Sequence, residues 1–240
     1  MILITGAATR IGAIIAQHLA HDGSKIIIHY HRSQDEAEAL TRKLGNAALW
    51  QQNLRAPDLA ASFQKLMREN GPVDTLINNA AVFYPDQDHE NISAELRSEI
   101  MAVNYHAPLT LMQEMAKTLP QGGVGNIINI LDQRVLNPSY AFPVYTESKI
   151  KLWQATQQKA VEFAPHIRVN AIAPGHVLPN VGEDATRFEA RRARTPMGTG
   201  PAPEDVAAAI EFILNIKSMT GACIPLDGGE HLVPKTEPTS

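Results

Sequence analysis

Tyr145 and Lys149 stand four residues apart in a stretch with a helical pattern, which predicts that their side chains share one helix face. A cation beside a phenol stabilises the phenolate and lowers the pKa of the tyrosine, so the phenol can donate a proton near neutral pH. Tyr-x-x-x-Lys is common by chance, and an exposed surface pair is the simplest interpretation. Here the pair follows a predicted strand in a chain that opens with a glycine-rich turn, and this context favours catalysis.

The glycine-rich turn occupies residues 5–12, between the first predicted strand and the first predicted helix. It contains Gly6 and Gly12, with Arg10 and Ile11 between them. Glycine permits a tight turn and lets backbone amides approach a pyrophosphate at a helix N-terminus. A pair of ordinary loop glycines is the alternative, but strand–turn–helix is the context that a dinucleotide site requires. We expect this turn to hold the phosphates of a dinucleotide.

The end of the second predicted strand indicates which dinucleotide binds. It carries His29, Tyr30, His31, Arg32 and Ser33, without the Asp or Glu that would bind a ribose 2′-hydroxyl. An arginine with serine and histidine donors would instead hold a 2′-phosphate, which favours NADPH over NADH. A solvated basic strand end is one alternative. A metal pair formed by the two histidines is another, but no third ligand of matching spacing lies nearby, so we predict no metal.

Short β-like runs alternate with longer helical patterns from end to end. Strands separated by helices imply right-handed crossovers and an α/β fold: a doubly wound, Rossmann-like parallel sheet with helices on both faces. We expect a single domain over residues 1–240. The predicted strands are 2–5, 25–30, 47–51, 75–78, 124–131, 167–172 and 223–226. The predicted helices are 11–20, 34–44, 58–69, 92–119, 144–163 and 204–215.

Two segments do not fit this alternation. Residues 174–203 are rich in Gly, Pro and charge, and such a long irregular segment in an open α/β sheet predicts a loop beside the substrate. Within it, the basic run 187–194 fits a solvated helix face, and a minority hypothesis is that it attracts a phosphate or glutamyl tail on the substrate. Residues 231–240 are predicted to form a tail without regular structure at its end.

Composition restricts the function classes. The 240 residues carry a net charge of −4, 44% hydrophobic residues and one cysteine. The mild negative charge gives no argument for nucleic acid or an anionic membrane, and no apolar run approaches the ~20 residues of a membrane span. One cysteine excludes an intramolecular disulfide framework, which fits a reducing compartment. With no secretory signal visible, we expect a cytoplasmic protein with a small-molecule substrate.

Six motifs together resemble the short-chain dehydrogenase/reductase family across essentially the whole chain. They are Thr5-Gly6 with Gly12, Asn78-Asn79-Ala80, Asn104, Tyr145 with Lys149, Pro174-Gly175 and Asp227-Gly228-Gly229. The resemblance implies that Lys149 also binds the nicotinamide ribose and that Asn104 supports a water-linked proton relay. It further implies that the cofactor contacts Asn53, Asn79, Ala80, Pro174 and Gly175.

Two positions depart from the usual family pattern. Arg10 replaces the middle glycine of the cofactor loop, and Asp132 replaces the catalytic serine, thirteen residues before the tyrosine. A serine hydroxyl donates to a carbonyl oxygen as it becomes an alkoxide, whereas an ionised carboxylate only accepts and repels that charge. Asp132 therefore argues against ordinary ketone reduction and suits a ring that bears N–H donors. A carboxylate near Tyr145 could also share a proton with it.

Both departures are similar to one branch, the pteridine reductases and the related dihydromonapterin reductases. The branch pattern also includes residues 29–33 and 79–85. It implies that Phe83 stacks on a pterin, that Arg10 lies beside the pterin and the cofactor phosphates, and that Asp132 and Tyr145 handle substrate protons. The alternatives are a core aromatic for Phe83, a solvated helix start for Arg10 and a turn cap for Asp132.

The sequence thus predicts NADPH-dependent reduction of a dihydropterin, of the dihydrobiopterin, dihydromonapterin or dihydrofolate type, to its tetrahydro form. The alternatives are an NADPH-dependent carbonyl reductase, such as a 3-oxoacyl reductase, and a non-catalytic NADP(H)-sensing protein. The resemblance also implies a homotetramer that pairs the helices around Asn104 and Tyr145, with the chain end near His231 reaching a neighbouring site.

Overall fold

Seven strands of the computed structural model form one sheet, and every pairing is parallel. The structure describes residues 1–20, 23–84, 92–138 and 141–234. The strands are β1 (Ile2–Ile4), β2 (Ile26–Tyr30), β3 (Ala47–Gln51), β4 (Thr75–Asn78), β5 (Gly125–Ile130), β6 (Ile167–Pro174) and β7 (Cys223–Leu226). Their order is β3-β2-β1-β4-β5-β6-β7, so the direction of the winding reverses between β1 and β4. This confirms the predicted doubly wound fold, whose ligand crevice lies at that reversal.

Helices pack on both faces of the sheet because successive strand side chains point to opposite sides. Leu3 of β1 joins a core cluster on one face, while Ile4 joins a second cluster on the other. Phe63 anchors the first cluster and Ile15 the second, and both side chains are fully buried. The helices are α1 (Arg10–Leu19), α2 (Gln34–Leu44), α3 (Leu59–Asn70), α4 (Ala94–Met101), α5 (Ala107–Thr118), α6 (Pro143–Glu162), α7 (Ala185–Arg192) and α8 (Pro203–Asn215).

The predicted single helix over residues 92–119 was wrong in one respect. It consists of α4 and α5, joined by a five-residue π-helical segment at 102–106. Such a segment adds one residue to a turn and is frequent at functional sites. Asn104 lies at its centre and is completely buried.

The segment 174–203, predicted to be irregular, contains the short helix α7. The Asp184 side chain caps this helix by accepting a hydrogen bond from the backbone N–H of Arg187 at 3.1 Å. Phe188 is the buried anchor of α7, and a helix with a single apolar anchor shows little periodicity in the sequence.

Two sequence predictions fall partly outside the described residues. The last part of the predicted tail, residues 235–240, is one of them, and Pro85 of the 79–85 pattern is the other. The described end of the chain forms a 3₁₀ turn, Glu230–Leu232. None of the helices in the described ranges is long and apolar enough to cross a membrane.

Candidate active site

Two cavities open at the carboxyl ends of the strands, where the sheet reverses its winding. The "Tyr145 cavity" has a volume of about 620 Å³, and the "Gly6 cavity" of about 510 Å³. They form one continuous cleft because they share wall residues from the glycine-rich turn and from the end of β4. The shared residues are Arg10, Ile11, Asn79 and Ala81.

The sequence-predicted residues divide between the two cavities. Twelve of them line the Gly6 cavity: Gly6, Arg10, Ile11, Gly12, His29, Tyr30, His31, Arg32, Ser33, Asn53, Asn79 and Ala80. Six others line the Tyr145 cavity: Phe83, Asp132, Tyr145, Lys149, Pro174 and Gly175. Asn104 lines neither cavity, because its side chain is completely buried.

Hydrogen bonds between β1 and the segment after β4 hold the glycine-rich turn. The hydroxyl of Thr5 accepts from the backbone N–H groups of Asn79 and Ala80, at 3.0 Å each. The side-chain amide of Asn79 donates to the carbonyl of Thr5 at 2.8 Å and to that of Gly6 at 3.2 Å. A Cβ at Gly12 would lie 2.2 Å from the Gly6 carbonyl, so only glycine fits there. The turn therefore has one tightly fixed shape.

Arg10 occupies a strained position at the junction of the two cavities. Its φ of 55° lies in the left-handed region, which explains why a glycine there is the usual family pattern. The guanidinium donates to the carbonyl of Pro179 at 2.7 Å and so reaches across the cleft to the segment 174–203. Arg10 therefore lies beside both cavities, and its predicted contacts with the pterin and the cofactor phosphates stay predictions.

His29 lines the Gly6 cavity but is only 2% exposed. Its Nδ1 lies 2.9 Å from the backbone N–H nitrogen of Gly6, and its Nε2 lies 3.0 Å from the carbonyl oxygen of Gln52. Burial lowers the pKa of His29 to about 4, so the ring is neutral. The expectation that His29 donates to a phosphate is thus corrected: both ring nitrogens already bind the backbone.

The remaining side chains give the Gly6 cavity a cationic lining. The guanidinium of Arg32 follows β2, and that of Arg55 follows β3. The lining also contains Glu99, which lies 3.3 Å from the guanidinium of Arg55. Sequence reasoning missed Arg55 and Glu99, although the position of Arg55 two residues after Asn53 could have revealed it. Tyr84, which also lines this cavity, belongs to the 79–85 pattern but was given no role.

In the Tyr145 cavity, the phenol and the carboxylate that the sequence singled out are in contact. The Tyr145 hydroxyl donates to Oδ2 of Asp132 at 3.2 Å. The other oxygen, Oδ1, accepts from the backbone N–H of Arg134 at 2.9 Å and lies 3.8 Å from the Nε of that residue. Asp132 therefore also caps a 3₁₀ turn, Gln133–Val135, so the structural role that was the alternative holds alongside the predicted contact.

The sign of the pKa shift at Tyr145 differs from the sequence expectation. Burial raises the pKa of Tyr145 well above 10.0, and the charge and hydrogen bond of Asp132 raise it further. Lys149 was predicted to lower this pKa, but the net shift is upward. Its ammonium donates to the carbonyl of Ile130 at 2.8 Å and lies 5.8 Å from the centroid of the Tyr145 ring. Burial lowers the pKa of Lys149 itself to about 8.

Asn104 braces the helix that carries the tyrosine. Its side chain accepts from the Val82 N–H at 2.8 Å and donates to the Val82 carbonyl at 3.0 Å and to the Ser148 hydroxyl at 3.2 Å. That hydroxyl in turn donates to the carbonyl of Tyr145 at 2.6 Å. These contacts join the end of β4 to α6, and the predicted water-linked relay stays a prediction.

Phe83 forms an aromatic wall of the Tyr145 cavity. Its ring centroid lies 4.8 Å from that of Tyr145 and 4.8 Å from that of Phe142. The Arg134 guanidinium lies 5.1 Å from the centroid of the Phe142 ring. Phe83 is half-buried and, among the described residues, belongs to neither core cluster, which favours the predicted stacking surface over a core aromatic.

The structure separates the members of the basic run 187–194. Arg187 and Arg191 line the Tyr145 cavity, and Arg191 lies 2.6 Å from a carboxylate oxygen of Glu183. Arg192 instead donates to the carbonyls of neighbouring loops, and Arg194 lies outside both cavity walls. His176 lines the same cavity, and its Nε2 lies 3.5 Å from a carboxylate oxygen of Glu230.

The chain is similar to several known proteins over nearly its whole length. The family model described as short chain dehydrogenase matches residues 1–190. The crystal structure of FolM alternative dihydrofolate reductase 1 from Brucella canis, complexed with NADP, is 35% identical, with a TM-score of 0.93 over 100% of this chain and 96% of that one.

The sequence left open a pterin reductase and a carbonyl reductase, and the curated relatives include proteins named for each kind of activity. Pteridine reductase 1 of Leishmania tarentolae is 28% identical over 96% of each chain. L-xylulose reductase of Bos taurus is 32% identical over 95% of this chain and 94% of the relative. The cleft geometry and these similarities together establish that the chain belongs to the short-chain dehydrogenase family.

Proposed function

We propose that this protein reduces a dihydropterin to its tetrahydro form with NADPH. The observation that carries the proposal is the hydrogen bond between Tyr145 and Asp132 in the cleft. A carboxylate there repels the alkoxide that ketone reduction would form, but it accepts N–H groups of a pterin ring. The similarity to the Brucella canis dihydrofolate reductase and the Leishmania tarentolae pteridine reductase supports this substrate class.

The Gly6 cavity fits the cofactor. It combines the N-terminus of α1, which favours anions, with the cationic side chains of Arg10 and Arg32 and the ring of His31. Arg32 and Ser33 would bind the 2′-phosphate, Asn53 would accept from the adenine amino group, and Lys149 would bind the nicotinamide ribose. Bound in this cleft, NADPH supplies the hydride that adds to the carbon of the substrate C=N bond.

The side chains of the Tyr145 cavity provide the proton that the nitrogen of this C=N bond must gain. Tyr145 is a neutral phenol that carries the proton to be donated, because burial and the Asp132 carboxylate disfavour a resting phenolate. Asp132 accepts N–H groups of the ring and shares the proton with Tyr145. Phe83 stacks on the flat heterocycle, and Lys149 provides a positive charge near the phenol.

The assembly and location follow the resemblance. We propose a single domain over residues 1–240, with 174–203 as the substrate loop and 231–240 as the tail. The protein is further proposed to be a cytoplasmic homotetramer that buries α5 and α6; Val161 of α6, an apolar side chain that is 80% exposed, supports a covered face. Light scattering that detects a stable monomer would contradict this assembly.

A carbonyl reductase is the second candidate, and the similarity to L-xylulose reductase favours it. The first test is steady-state NADPH oxidation with dihydrobiopterin, dihydromonapterin and dihydrofolate, alongside a panel of ketones. We expect turnover of at least one pterin. Turnover of ketones alone would replace the proposed function by the second candidate. Tight NADPH binding without turnover of any substrate would favour a sensor.

Substitution of Asp132 separates the two candidates on one protein. Asp132→Ser and Asp132→Asn both keep a side chain that can cap the 3₁₀ turn, so the fold should survive while the negative charge is lost. A pterin reductase should lose about a hundredfold or more of its kcat in both variants. A carbonyl reductase should tolerate Asp132→Ser or gain activity from it.

A further inference from the structure

His29 is a polar side chain in an otherwise apolar strand. It follows three isoleucines in β2, and its ring packs against Trp50 with a centroid distance of 5.1 Å. The exposed fraction of the residue is 2%. Burial of an imidazole without partners would destabilise the fold, so the partners of this ring explain why it is tolerated.

Those partners determine the tautomer of the ring. The Gly6 backbone N–H can only donate, so Nδ1 of His29, 2.9 Å away, must be the acceptor. The Gln52 carbonyl can only accept, so Nε2, 3.0 Å away, carries the hydrogen. The neutral ring thus has no N–H left for a phosphate.

Gly6 is held from both neighbouring strands. Its φ of 63° marks the tight bend that leaves β1. While His29 accepts the Gly6 N–H, the side-chain amide of Asn79 donates to the Gly6 carbonyl at 3.2 Å. The backbone carbonyl of His29 also accepts the N–H of Ala7 at 3.0 Å. Two consecutive amides of the turn are therefore fixed by one residue of β2, before the chain enters α1.

We propose that His29 is a positioning residue for dinucleotide binding, which holds Gly6 and thereby orients the N-terminus of α1 toward the cofactor phosphates. It does not recognise the 2′-phosphate, which is left to Arg32 and Ser33. This inference rests on the proposed function, because it requires that the Gly6 cavity binds a nicotinamide dinucleotide.

Positioning of the turn and direct recognition of the 2′-phosphate affect cofactor selectivity differently. The pyrophosphate is common to NADPH and NADH, so loss of a positioning residue weakens both by the same factor. The 2′-phosphate is present only in NADPH, so loss of a 2′-phosphate contact weakens NADPH alone. The ratio of the two dissociation constants therefore separates positioning from direct recognition.

Three substitutions of His29 form the experiment. In His29→Asn the amide oxygen sits on Cγ, as Nδ1 does, and can still accept from Gly6. His29→Gln can reach the Gln52 carbonyl instead, and His29→Leu removes both bonds. Kd for NADPH and for NADH is measured by fluorescence titration of each full-length variant, with thermal denaturation to check folding. Arg32→Gln is the matched contrast.

We expect His29→Leu and His29→Gln to raise both Kd values about tenfold, with an unchanged NADPH/NADH ratio, and His29→Asn to stay close to wild type. Arg32→Gln should raise the Kd of NADPH alone. If His29→Leu does not fold, the comparison of His29→Asn with His29→Gln tests the proposal, since a positioning role requires that their Kd values differ.

Three results would overturn the inference: a selective loss of NADPH affinity in the His29 variants, equal effects of Asn and Gln, or no effect of any variant. When the wild-type protein binds NADPH and reduces a dihydropterin, these results leave the proposed function intact. A wild-type protein that binds neither dinucleotide overturns both.

Discussion

The Gly6 cavity and the Tyr145 cavity belong to one cleft but are built by different means. Around the Gly6 cavity, Thr5, Asn79 and His29 direct their side chains to backbone partners, and the hydrogen bonds are between uncharged groups. Around the Tyr145 cavity, the Tyr145 phenol contacts the Asp132 carboxylate, a second titratable group, and the ammonium of Lys149 is buried nearby.

Burial shifts pKa values in both cavities, with different consequences. It lowers the pKa of His29 to about 4, which keeps the ring neutral and its two backbone bonds intact. It also lowers the pKa of Lys149 to about 8 and raises that of Tyr145, two titratable groups that lie side by side in the wall of the Tyr145 cavity. At His29, whose two partners are backbone atoms, the shifted pKa accompanies a fixed geometry. At Tyr145, whose partner is a carboxylate, it accompanies a group that can transfer a proton.

The largest expected effect tests whether the Tyr145 cavity carries out the proton transfer. Tyr145→Phe removes the only proposed proton donor to the substrate nitrogen, so kcat should fall by about 10²–10⁴, while the Kd for NADPH stays within a factor of a few. Stopped-flow NADPH oxidation and fluorescence titration measure the two quantities. Tyr105→Phe is the control, because Tyr105 lines neither cavity, and its kcat should be unchanged. An unimpaired Tyr145→Phe enzyme would remove Tyr145 from the reaction.

The next effect concerns stability. Lys149 is 2% exposed, and its pKa is lowered from 10.5 to about 8, so near neutral pH the buried charge destabilises the fold by roughly 3 kcal/mol. The hydrogen bond to Ile130 offsets about 1 kcal/mol of this. Lys149→Met should therefore raise the unfolding free energy of the cofactor-free protein at pH 7 by about 2 kcal/mol, or Tm by about 4–8 °C. The same substitution should abolish activity.

The unfolding free energy should also depend on pH, in a direction that follows from the lowered pKa of Lys149. Between pH 8 and 10.5 the unfolded chain binds more protons at Lys149 than the folded chain does, so wild-type stability should rise with pH across this window. The advantage of Lys149→Met should shrink over the same range. Lys151→Met is the control, because Lys151 on the same helix is 42% exposed and pairs with Glu147. A variant less stable than wild type at pH 7 would show that the buried lysine stabilises the fold.

The two cavities also differ in how far the sequence could predict them. The position of the glycine-rich turn and of residues 29–33 after strands placed nine residues at the Gly6 cavity, because residues that follow parallel strands must meet at one sheet edge. The family resemblance added Asn53, Asn79 and Ala80. Spacing could not assign the role of His29, since donor or acceptor status depends on partners 23 residues away on either side. For Tyr145, the spacing to Lys149 was visible but burial was not, so the predicted direction of the pKa shift was wrong. The bounds of helix α7 could not be predicted, because it has one apolar anchor, Phe188; only a solvated helix face over the basic run 187–194 was expected.

The smallest expected effect lies at the outer wall of the Tyr145 cavity, where α7 distinguishes two arginines of the same basic run. Arg187 lines the cavity, and Arg194 does not. If the wall contacts the anionic glutamyl tail of dihydrofolate, Arg187→Gln should raise KM for dihydrofolate about threefold, as expected for one exposed ion pair. It should leave KM for the untailed dihydrobiopterin unchanged. Arg194→Gln removes the same charge and should change neither KM, so equal effects of both variants on both substrates would indicate only a general loss of positive potential.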